Sequence, residues 1–502
     1  MLDDIILLYV VFEESFMKKQ NNIICTVLLV ALIIAIPLAV FLIRDIDNDT
    51  WFMLNHGRYI MKNGLYPQYE PFTVHEGMEF TFQKWLSCIL FWLIYKYLGK
   101  VALKLFLYGV YMAFVFAMYK LLEYIKKDAK IQNLATLVVL NAAMTQYLYT
   151  RPQMFTYLFL AIELIVLEKY VRENKVHLLV IIPILSLVEI QLHSTIWPII
   201  LIYMLPYMFD VSFSDKIVKK LKILPVRKYK RLPIWLAFIA SAVVAVINPY
   251  GFESVVYLVK SLQIPELKML ISEVRAPEPL SVNAFVIAMS LVIFVYGFAK
   301  KKKIELRYLF LFGGTTLMSM MSARQMSFML IPAAMLMAYF FDFKKISNVM
   351  KASFVLIFAL VSFDSVFEAS WGQTHYQQYV TDACDALYEY EPNPEDTSVF
   401  NLDDEGSYLE FLGFRTYADT RAEVFSDKIN NSKNYLAEKI GFESETVSYK
   451  KFIYQYDYKY AFIRKVYKKQ IKAMDSDKNL KRIYENRLFV IYEIENHGIK
   501  GQ

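Results

Sequence analysis

Apolar runs long enough to cross a bilayer recur through most of this chain. The first is Asn22–Ile43, and comparable runs follow as far as residue 367. A helix needs about 20 predominantly apolar residues to span the hydrocarbon core of a membrane, and 57% of the 502 residues are apolar. The pattern therefore predicts a polytopic, mostly α-helical protein of the lipid bilayer with about 11 spans.

The apolar runs place the spans individually. After 22–43 they are 101–124, 131–149, 154–171, 177–191, 196–209, 232–247, 281–298, 306–321, 325–341 and 352–367. Residues 85–98 are also apolar but too short for a full span. They are interpreted either as a juxtamembrane helix within an outer loop or as a half-span.

Basic loops orient these spans, because cytoplasmic loops carry an excess of Lys and Arg. Lys18 and Lys19 precede the first span, and the loop 210–231 carries eight basic residues. We therefore expect a plasma-membrane protein with a cytosolic N-terminus. In this orientation several isolated polar residues of the loops share the outer face: Asp47, Asp49, Arg151, His193, Asn248, Glu273 and Arg324.

The composition changes after the last apolar run, which predicts three parts. Residues 1–21 form a cytosolic segment, and residues 22–367 form the membrane domain, with 44–100 as its first outer loop. Residues 368–502 are charged and carry no span. Short β-prone runs there predict a small extracytoplasmic α/β domain. Its predicted strands lie near 399–401, 416–418, 460–463 and 488–492, with helices at 433–440 and 448–454.

Two carboxylates, Asp47 and Asp49, stand where the first span leaves the membrane. Trp51, Leu54 and Arg58 follow at helical spacing, which predicts a short helix along the membrane surface. A carboxylate at this position can act as a general base, and a pair can hold a divalent metal cation. The structural alternative is that Asp49 caps the following helix.

This stretch resembles the first outer loop of GT-C glycosyltransferases, and in particular the bacterial group related to glycosyltransferase family 39, the dolichyl-phosphate-mannose-protein mannosyltransferases. The matching residues are Asp47, Asp49, Trp51, Gly57, Gly64, Pro71, Phe72 and Thr73. The resemblance implies a GT-C-like fold and transfer of a sugar from a polyprenyl-phosphate donor. It implies that Asp49 is the catalytic base, that Asp47 orients it or helps bind a metal, and that Trp51 contacts the substrate.

Further residues match motifs of the same group. Arg151, in Arg-Pro-Gln, and Arg324 would bind the donor phosphate, because a guanidinium forms two parallel hydrogen bonds with it. The alternative for an arginine at a span end is contact with lipid headgroups. His193 would bind donor phosphate or a metal, or would make a structural hydrogen bond. Glu273 would contact sugar hydroxyls.

Two segments of the tail, residues 403–409 and 417–423, also resemble motifs of this group. Asp419 and Arg421 fall in the second segment, where an ion pair that fixes a loop is the preferred interpretation. Asn248 begins the sequence Asn-Pro-Tyr-Gly, which predicts a turn at the end of a span.

Other function classes find less support. The net charge of +7 lies in loops between spans, so it does not indicate nucleic-acid binding. The three cysteines show no metal-ligand spacing, and there is no P-loop or Gly-x-Ser-x-Gly motif. The expected function is an inverting transfer to an envelope glycan, lipid or protein acceptor. The alternatives are a transporter or flippase, which would place charges deep within spans, and a non-catalytic envelope scaffold.

Overall fold

The structure is a computed structural model that describes residues 2–65, 69–209, 229–301, 304–341, 372, 374–444, 446–454 and 456–495. The predicted eleventh span, 352–367, lies outside the described residues, as does most of the basic loop 210–231. The helices up to residue 341 are Leu2–Ile43, Asn48–Asn63, Trp85–Ile125, Lys130–Met144, Gln153–Glu173, Ile181–Leu192, Pro198–Phe209, Arg231–Val243, Glu253–Ser261, Glu266–Leu270, Val282–Lys301, Leu306–Met321 and Met326–Phe340.

Helices occupy the described parts of the predicted spans, although several are short. Three described helices are long and apolar enough to cross a bilayer: Asn22–Ile43, Trp85–Ile125 and Val282–Lys300. Others, such as Pro198–Phe209, have 12 residues, or about 18 Å at 1.5 Å per residue, against a hydrocarbon core of about 30 Å. The predicted number of spans therefore stays a prediction.

The helix Trp85–Ile125 joins two segments that the sequence analysis separated. Its 41 residues would reach about 60 Å as a straight rod, twice the hydrocarbon thickness. Gly99 breaks it with φ 82° and ψ 179°, a backbone conformation that glycine adopts at little cost. The predicted juxtamembrane helix 85–98 is thus the first arm of a bent helix, and the predicted span 101–124 is its second arm.

A mostly buried ion-pair cluster ties three helices together near the C-terminal end of Gln153–Glu173. Glu168 is buried and accepts hydrogen bonds from Arg307 Nε (2.8 Å) and Arg172 Nε (2.7 Å). The hydroxyls of Tyr207 and Tyr308 each donate to it at 2.9 Å. We call these five residues the closed cluster.

The tail begins with the helix Thr374–Tyr390 and continues as a five-stranded sheet in the order β2-β1-β3-β5-β4. The strands are β1 Ser398–Phe400, β2 Arg415–Thr416, β3 Tyr460–Arg464, β4 Leu480–Glu485 and β5 Phe489–Ile494. Strand β1 runs parallel to β2 and β3, whereas β5 is antiparallel to β3 and β4. The connecting helices are Gly406–Leu412, Asp427–Asn430, Tyr435–Glu443, Tyr449–Ile453 and Lys468–Asp475. The sequence analysis predicted an α/β arrangement but missed β4.

The tail packs directly on residues 44–100, the segment that follows the first predicted span. Thr73 forms a parallel bridge with Thr416 of β2, and Val74 N donates to Thr416 O at 2.9 Å. The helix Gly406–Leu412 packs on Asn48–Asn63, so a single apolar core runs through both parts. This docking brings tail residues to the N-terminus of Asn48–Asn63.

Candidate active site

The candidate site is built on the helix Asn48–Asn63, which we call the site helix. Asp47 caps its N-terminus, because Asp47 Oδ1 accepts from Thr50 N at 3.0 Å and from Thr50 Oγ1 at 2.6 Å. The structural alternative considered for Asp49, that of a helix cap, therefore belongs to Asp47. Asp49 lies in the first turn with its carboxylate free of capping, where the helix dipole favours negative charge.

Arg151 bridges the two carboxylates. Its Nε and Nη2 contact Asp47 Oδ2 at 2.7 and 2.6 Å, and its Nη1 contacts Asp49 Oδ2 at 3.0 Å. All three side chains are about one-fifth exposed, at 20%, 19% and 22% for Asp47, Asp49 and Arg151. The sequence analysis placed these residues on the same face, and the structure brings them into contact.

The electrostatic surroundings keep Asp49 ionised. Burial by itself would raise the pKa of Asp49, but Arg151, Lys84 and Arg324, together with a hydrogen bond from Thr420, lower the pKa below its usual value. The carboxylate is therefore charged at neutral pH and can accept a proton.

Lys84 is a cation of the site that the sequence analysis missed. It directly precedes the helix Trp85–Ile125, and its Nζ lies 5.3 Å from the ring centroid of Phe52. Within the described part of the chain it forms no ion pair, although its charge is coupled to Asp49 and Arg324. Its position, a single lysine before an apolar run, is also typical of residues that extend towards lipid headgroups, so nothing in the local sequence marks it as a site residue.

His193 lies near the same cations and is neutral. Burial, reinforced by Lys84, Arg324 and Arg151, holds the pKa of His193 well below its usual range. The side chain is buried, and its Nδ1 has no hydrogen-bond partner among the described residues. The adjacent Ser194 N donates to Gln83 O at 3.0 Å, which fixes the His193 loop beside Lys84.

Arg324 and Glu273 form a looser pair at the edge of the site. Arg324 Nε lies 3.9 Å from Glu273 Oε2, and their side chains are 46% and 49% exposed. Backbone contacts hold the two loops together, because Ala323 N donates to Arg275 O at 2.9 Å. The guanidinium of Arg324 is therefore accessible, and its charge helps lower the pKa of Asp49.

The tail supplies one wall of the site. Asn48 Nδ2 donates to Asp404 Oδ2 at 2.8 Å, and Gln377 Nε2 donates to Asn48 Oδ1 at 3.0 Å. A cavity of about 230 Å³ lies between these tail residues and the carboxylates. Its lining residues are Arg44, Asp45, Asp47, Asn48, Asp49, Tyr149, Arg151, Glu273, Tyr376, Gln377, Asp404 and Thr420.

Arg421 locks the loop that carries Thr420. Its guanidinium contacts Asp419, donates to Glu70 Oε1 at 2.8 Å and lies 3.0 Å from His56 Nε2. The predicted Asp419–Arg421 pair is thus confirmed, and it is buried. It joins the tail to the first outer loop and to the site helix.

Trp51 does not contact the cavity, contrary to the substrate contact that the resemblance implied. Its ring is 5% exposed and packs against Tyr408 and Phe411, with ring centroids 4.5 and 4.8 Å apart. The matching Gly57 also has a packing role, since a Cβ there would lie 2.1 Å from Cys88 O. These two residues hold the site helix against its neighbours.

The two aspartates are poorly suited to hold a metal ion. Asp47 already accepts from Thr50 and Arg151, and Asp49 from Arg151 and Thr420. Across the described ranges, no group of three or more His, Cys, Asp or Glu side chains could hold a metal ion. The guanidinium of Arg151 occupies the position between the carboxylates that a cation would take.

Comparisons with known proteins support the fold. No protein-family model matches the chain, and no curated protein matches it. Among solved structures, the chain is similar to ArnT from Cupriavidus metallidurans. Against ArnT bound to undecaprenyl phosphate the TM-score is 0.53 at 11% identity, and against ArnT in the apo state it is 0.55 at 10% identity. Each match covers 93% of this chain and 97% of ArnT. The likeness shows that this chain and ArnT share an overall fold.

Proposed function

We propose that this protein is a membrane glycosyltransferase that transfers a sugar from a polyprenyl-phosphate donor to an acceptor hydroxyl. The observation that carries the proposal is an ionised carboxylate, Asp49, facing a cavity beside a group of cations. The fold likeness to ArnT, which has been solved with undecaprenyl phosphate, supports a polyprenyl phosphate as the donor lipid.

Asp49 is the proposed catalytic base. Asp49 takes the proton from the acceptor hydroxyl while the hydroxyl oxygen attacks the anomeric carbon. Attack from the face opposite the phosphate inverts the configuration of that carbon. Asp47 orients this base indirectly, because Arg151 contacts both carboxylates. The cavity is flanked by Glu273, which is placed to accept hydrogen bonds from sugar hydroxyls.

The departing phosphate needs positive charge more than it needs an acid. Lys84 has no ion-pair partner among the described residues, and Arg324 has only a loose one. Three of the five N–H groups of Arg151 contact the aspartates, so the remaining two can reach a phosphate oxygen. His193 adds a neutral imidazole, and no metal-dependent step is required.

Phosphate binding would also strengthen the base. Arg151, Lys84 and Arg324 lower the pKa of Asp49 in the free protein. A bound phosphate would neutralise part of this positive charge, so the pKa of Asp49 would rise. Since a general base works best when its pKa approaches the working pH, the donor would activate the base that deprotonates the acceptor hydroxyl.

The proposed location of the site is the outer face of the plasma membrane. Positive-inside orientation puts residues 1–21 in the cytosol and residues 368–502 outside. The acceptor is then an envelope glycan, a lipid or a protein.

The test uses purified full-length protein, a radiolabelled sugar on undecaprenyl phosphate, and native membranes as the source of acceptor. We expect transfer by wild type and a loss of about 10²- to 10⁴-fold in Asp49→Asn, the usual effect of removing a general base. Asp382→Asn is the matched control, because Asp382 is exposed on the helix Thr374–Tyr390 and does not line the cavity. Near-normal transfer by Asp49→Asn would refute the base.

A flippase is the second candidate, and one observation favours it. Glu163 is fully buried in Gln153–Glu173, and both carboxylate oxygens lack a hydrogen-bond partner in the described structure. Acidic residues within membrane helices often mark transport paths. Glu163→Gln should then abolish lipid translocation in proteoliposomes. Unchanged translocation would remove this rival.

A further inference from the structure

A second cavity, of about 680 Å³, lies between the C-terminal half of the site helix and the tail. Its described lining shares no residue with the catalytic cavity. Asn55 lines it and follows Asp49 by six residues, or about 9 Å along the helix axis. We call it the distal cavity.

Three cations of the distal cavity lack an acidic partner within the described ranges: Arg58, Lys62 and Arg415. Arg58 donates to Asn55 Oδ1 at 2.7 Å and to Phe411 O at 2.8 Å, and Arg415 donates to Thr73 O at 3.0 Å. Lys62 is exposed at the rim. The partners of the two arginines are neutral, so the positive charge of all three residues stays uncompensated by contact.

Two buried polar atoms of this lining also lack partners. Asn55 and Glu410 are each 2% exposed, and neither Asn55 Nδ2 nor Glu410 Oε2 has a hydrogen-bond partner in the described structure. Asn55 Oδ1 already accepts a hydrogen bond from Arg58, so the atom of that amide without a partner is the donor Nδ2. Buried donors without partners are costly and point to a missing ligand or solvent.

Glu410 supplies a further hydrogen-bond donor, because its carboxyl group is protonated and carries no negative charge. Burial, with Asp419 nearby, raises the pKa of Glu410 well above its usual range, so its carboxyl keeps a proton at neutral pH. Its Oε1 accepts from Thr416 Oγ1 at 2.6 Å, which leaves Oε2 to carry that proton. Glu395, at the exposed rim, is the remaining carboxylate of the described lining.

The lining of the distal cavity is partly apolar. It includes three aromatic residues, Tyr59, Phe72 and Tyr388, and two prolines, Pro392 and Pro394. Such surfaces suit the C–H faces of sugar rings, whereas the donors around them suit an anionic substituent. A cleft lined by cations also concentrates anionic ligands near it.

We propose that the distal cavity binds a carboxylate- or phosphate-bearing carbohydrate segment of the acceptor. The identity of this ligand as the acceptor rests on the proposed function. The anionic group lies a few sugar units from the reacting hydroxyl, because the site helix separates the two cavities. The acceptor class is therefore an acidic envelope glycan.

The test titrates the full-length protein in nanodiscs with tetragalacturonate, using neutral maltotetraose as the matched probe. We expect tetragalacturonate to bind and maltotetraose to bind far more weakly. Lys62→Glu should weaken tetragalacturonate binding about tenfold, the scale of one charge-assisted hydrogen bond. Lys62→Arg, which keeps the positive charge, should bind tetragalacturonate as tightly as wild type does. Lys451→Glu makes the same charge change on an exposed tail residue and should leave tetragalacturonate binding unchanged.

Three results would overturn the inference: equal binding by wild type and Lys62→Glu, no binding of tetragalacturonate, or Lys62-dependent binding of phosphatidylglycerol vesicles in its place. The last would identify a lipid headgroup as the ligand. Binding of tritiated undecaprenyl phosphate, measured in parallel, should be the same in all variants. Loss of sugar transfer with intact tetragalacturonate binding would refute the proposed function and leave the anionic-glycan site standing.

Discussion

The helix Gln153–Glu173 connects two ion-pair clusters of opposite character. At one end, Glu168 of the closed cluster is buried, with both oxygens occupied by arginine and tyrosine donors. At the other end, Arg151 holds Asp47 and Asp49 at the edge of a cavity, each about one-fifth exposed. Both clusters neutralise carboxylates with arginine, but only the second has accessible charge.

This difference separates a structural cluster from a reactive one. In the closed cluster, every hydrogen bond to Glu168 comes from the protein, so its geometry is complete without a ligand. We call Asp47, Asp49 and Arg151, with the nearby Lys84, Arg324 and His193, the open cluster. Within the described structure Lys84 has no ion-pair partner, Arg324 has only a loose one, and His193 Nδ1 has no hydrogen-bond partner. Charged and polar groups without full partners are typical of sites where a bound substrate supplies the missing contacts.

The largest effect outside the catalytic base is expected from breaking the closed cluster. Glu168→Gln removes the carboxylate that Arg307 and Arg172 share and leaves Glu305 as the ion-pair partner of Arg307. Loss of one partner of a buried ion pair costs about 3–5 kcal/mol. We expect the free energy of unfolding to fall by this amount in SDS-titrated mixed micelles. Transfer per folded molecule should stay near wild type. A normal unfolding curve would show that the cluster contributes little.

Lys84 should affect donor binding without affecting stability. Lys84→Met removes a cation that has no ion pair to lose within the described protein. Affinity for undecaprenyl phosphate should fall about 10- to 100-fold, the range for hydrogen bonds to charged groups. Equilibrium binding of the tritiated lipid measures this change. Lys260→Met serves as control, because Lys260, unlike Lys84, is not among the cations that lower the pKa of Asp49. Equal losses in both variants would contradict a specific contact.

Arg324 tests whether the open cluster needs geometry as well as charge. Arg324→Lys keeps the positive charge but loses the fork that binds two phosphate oxygens. We expect turnover to fall several-fold in the lysine variant and further in Arg324→Ala, with unchanged protein yield. If Arg324 only anchored to headgroups, lysine would replace it almost freely. Equal turnover of wild type and Arg324→Lys across several donor concentrations would therefore exclude two-point binding of the donor phosphate by Arg324.

The smallest effect concerns pH. The pKa of Asp49 is lowered, so its base form persists down to pH values below the ordinary carboxylate range of about 3.9. The acid limb of kcat/KM should lie below that range and move upward in Lys84→Met, because one of the charges that lower the pKa is gone. His193, neutral throughout, should add no inflection near pH 6.5. An acid limb unmoved in Lys84→Met would disprove the coupling.

The sequence predicted the open cluster better than its surroundings. Asp47, Asp49 and Arg151 were recognisable because span ends placed them at one membrane surface. Lys84 was missed because the groups its charge acts on, Asp49 and Arg324, are distant in sequence, and a lysine beside an apolar run is ordinary. The packing of Trp51 could not be predicted locally, because its neighbours, Tyr408 and Phe411, come from the tail.

The fold follows the same division between local and long-range information. Apolar runs placed most of the described spans within a few residues of a helix, although the first helix begins at Leu2 and the tail helix Thr374–Tyr390 was not predicted. Strand β4 escaped prediction because it lies at the sheet edge, with charged residues such as Lys481 and Arg482. The docking of the tail on the outer loop, through Thr73 and Thr416, depends on pairing between residues more than 340 positions apart and leaves no local pattern.

That docking has a practical consequence for any attempt to study the tail as a soluble fragment. Strand β2 is two residues long and borders the sheet, and its free side is covered by the backbone around Thr73. A fragment beginning at Thr374 would expose this border to pairing with other copies. It would also leave Arg421 without Glu70 and His56. The predicted domain boundary near residue 368 therefore does not mark the start of an independently folding unit.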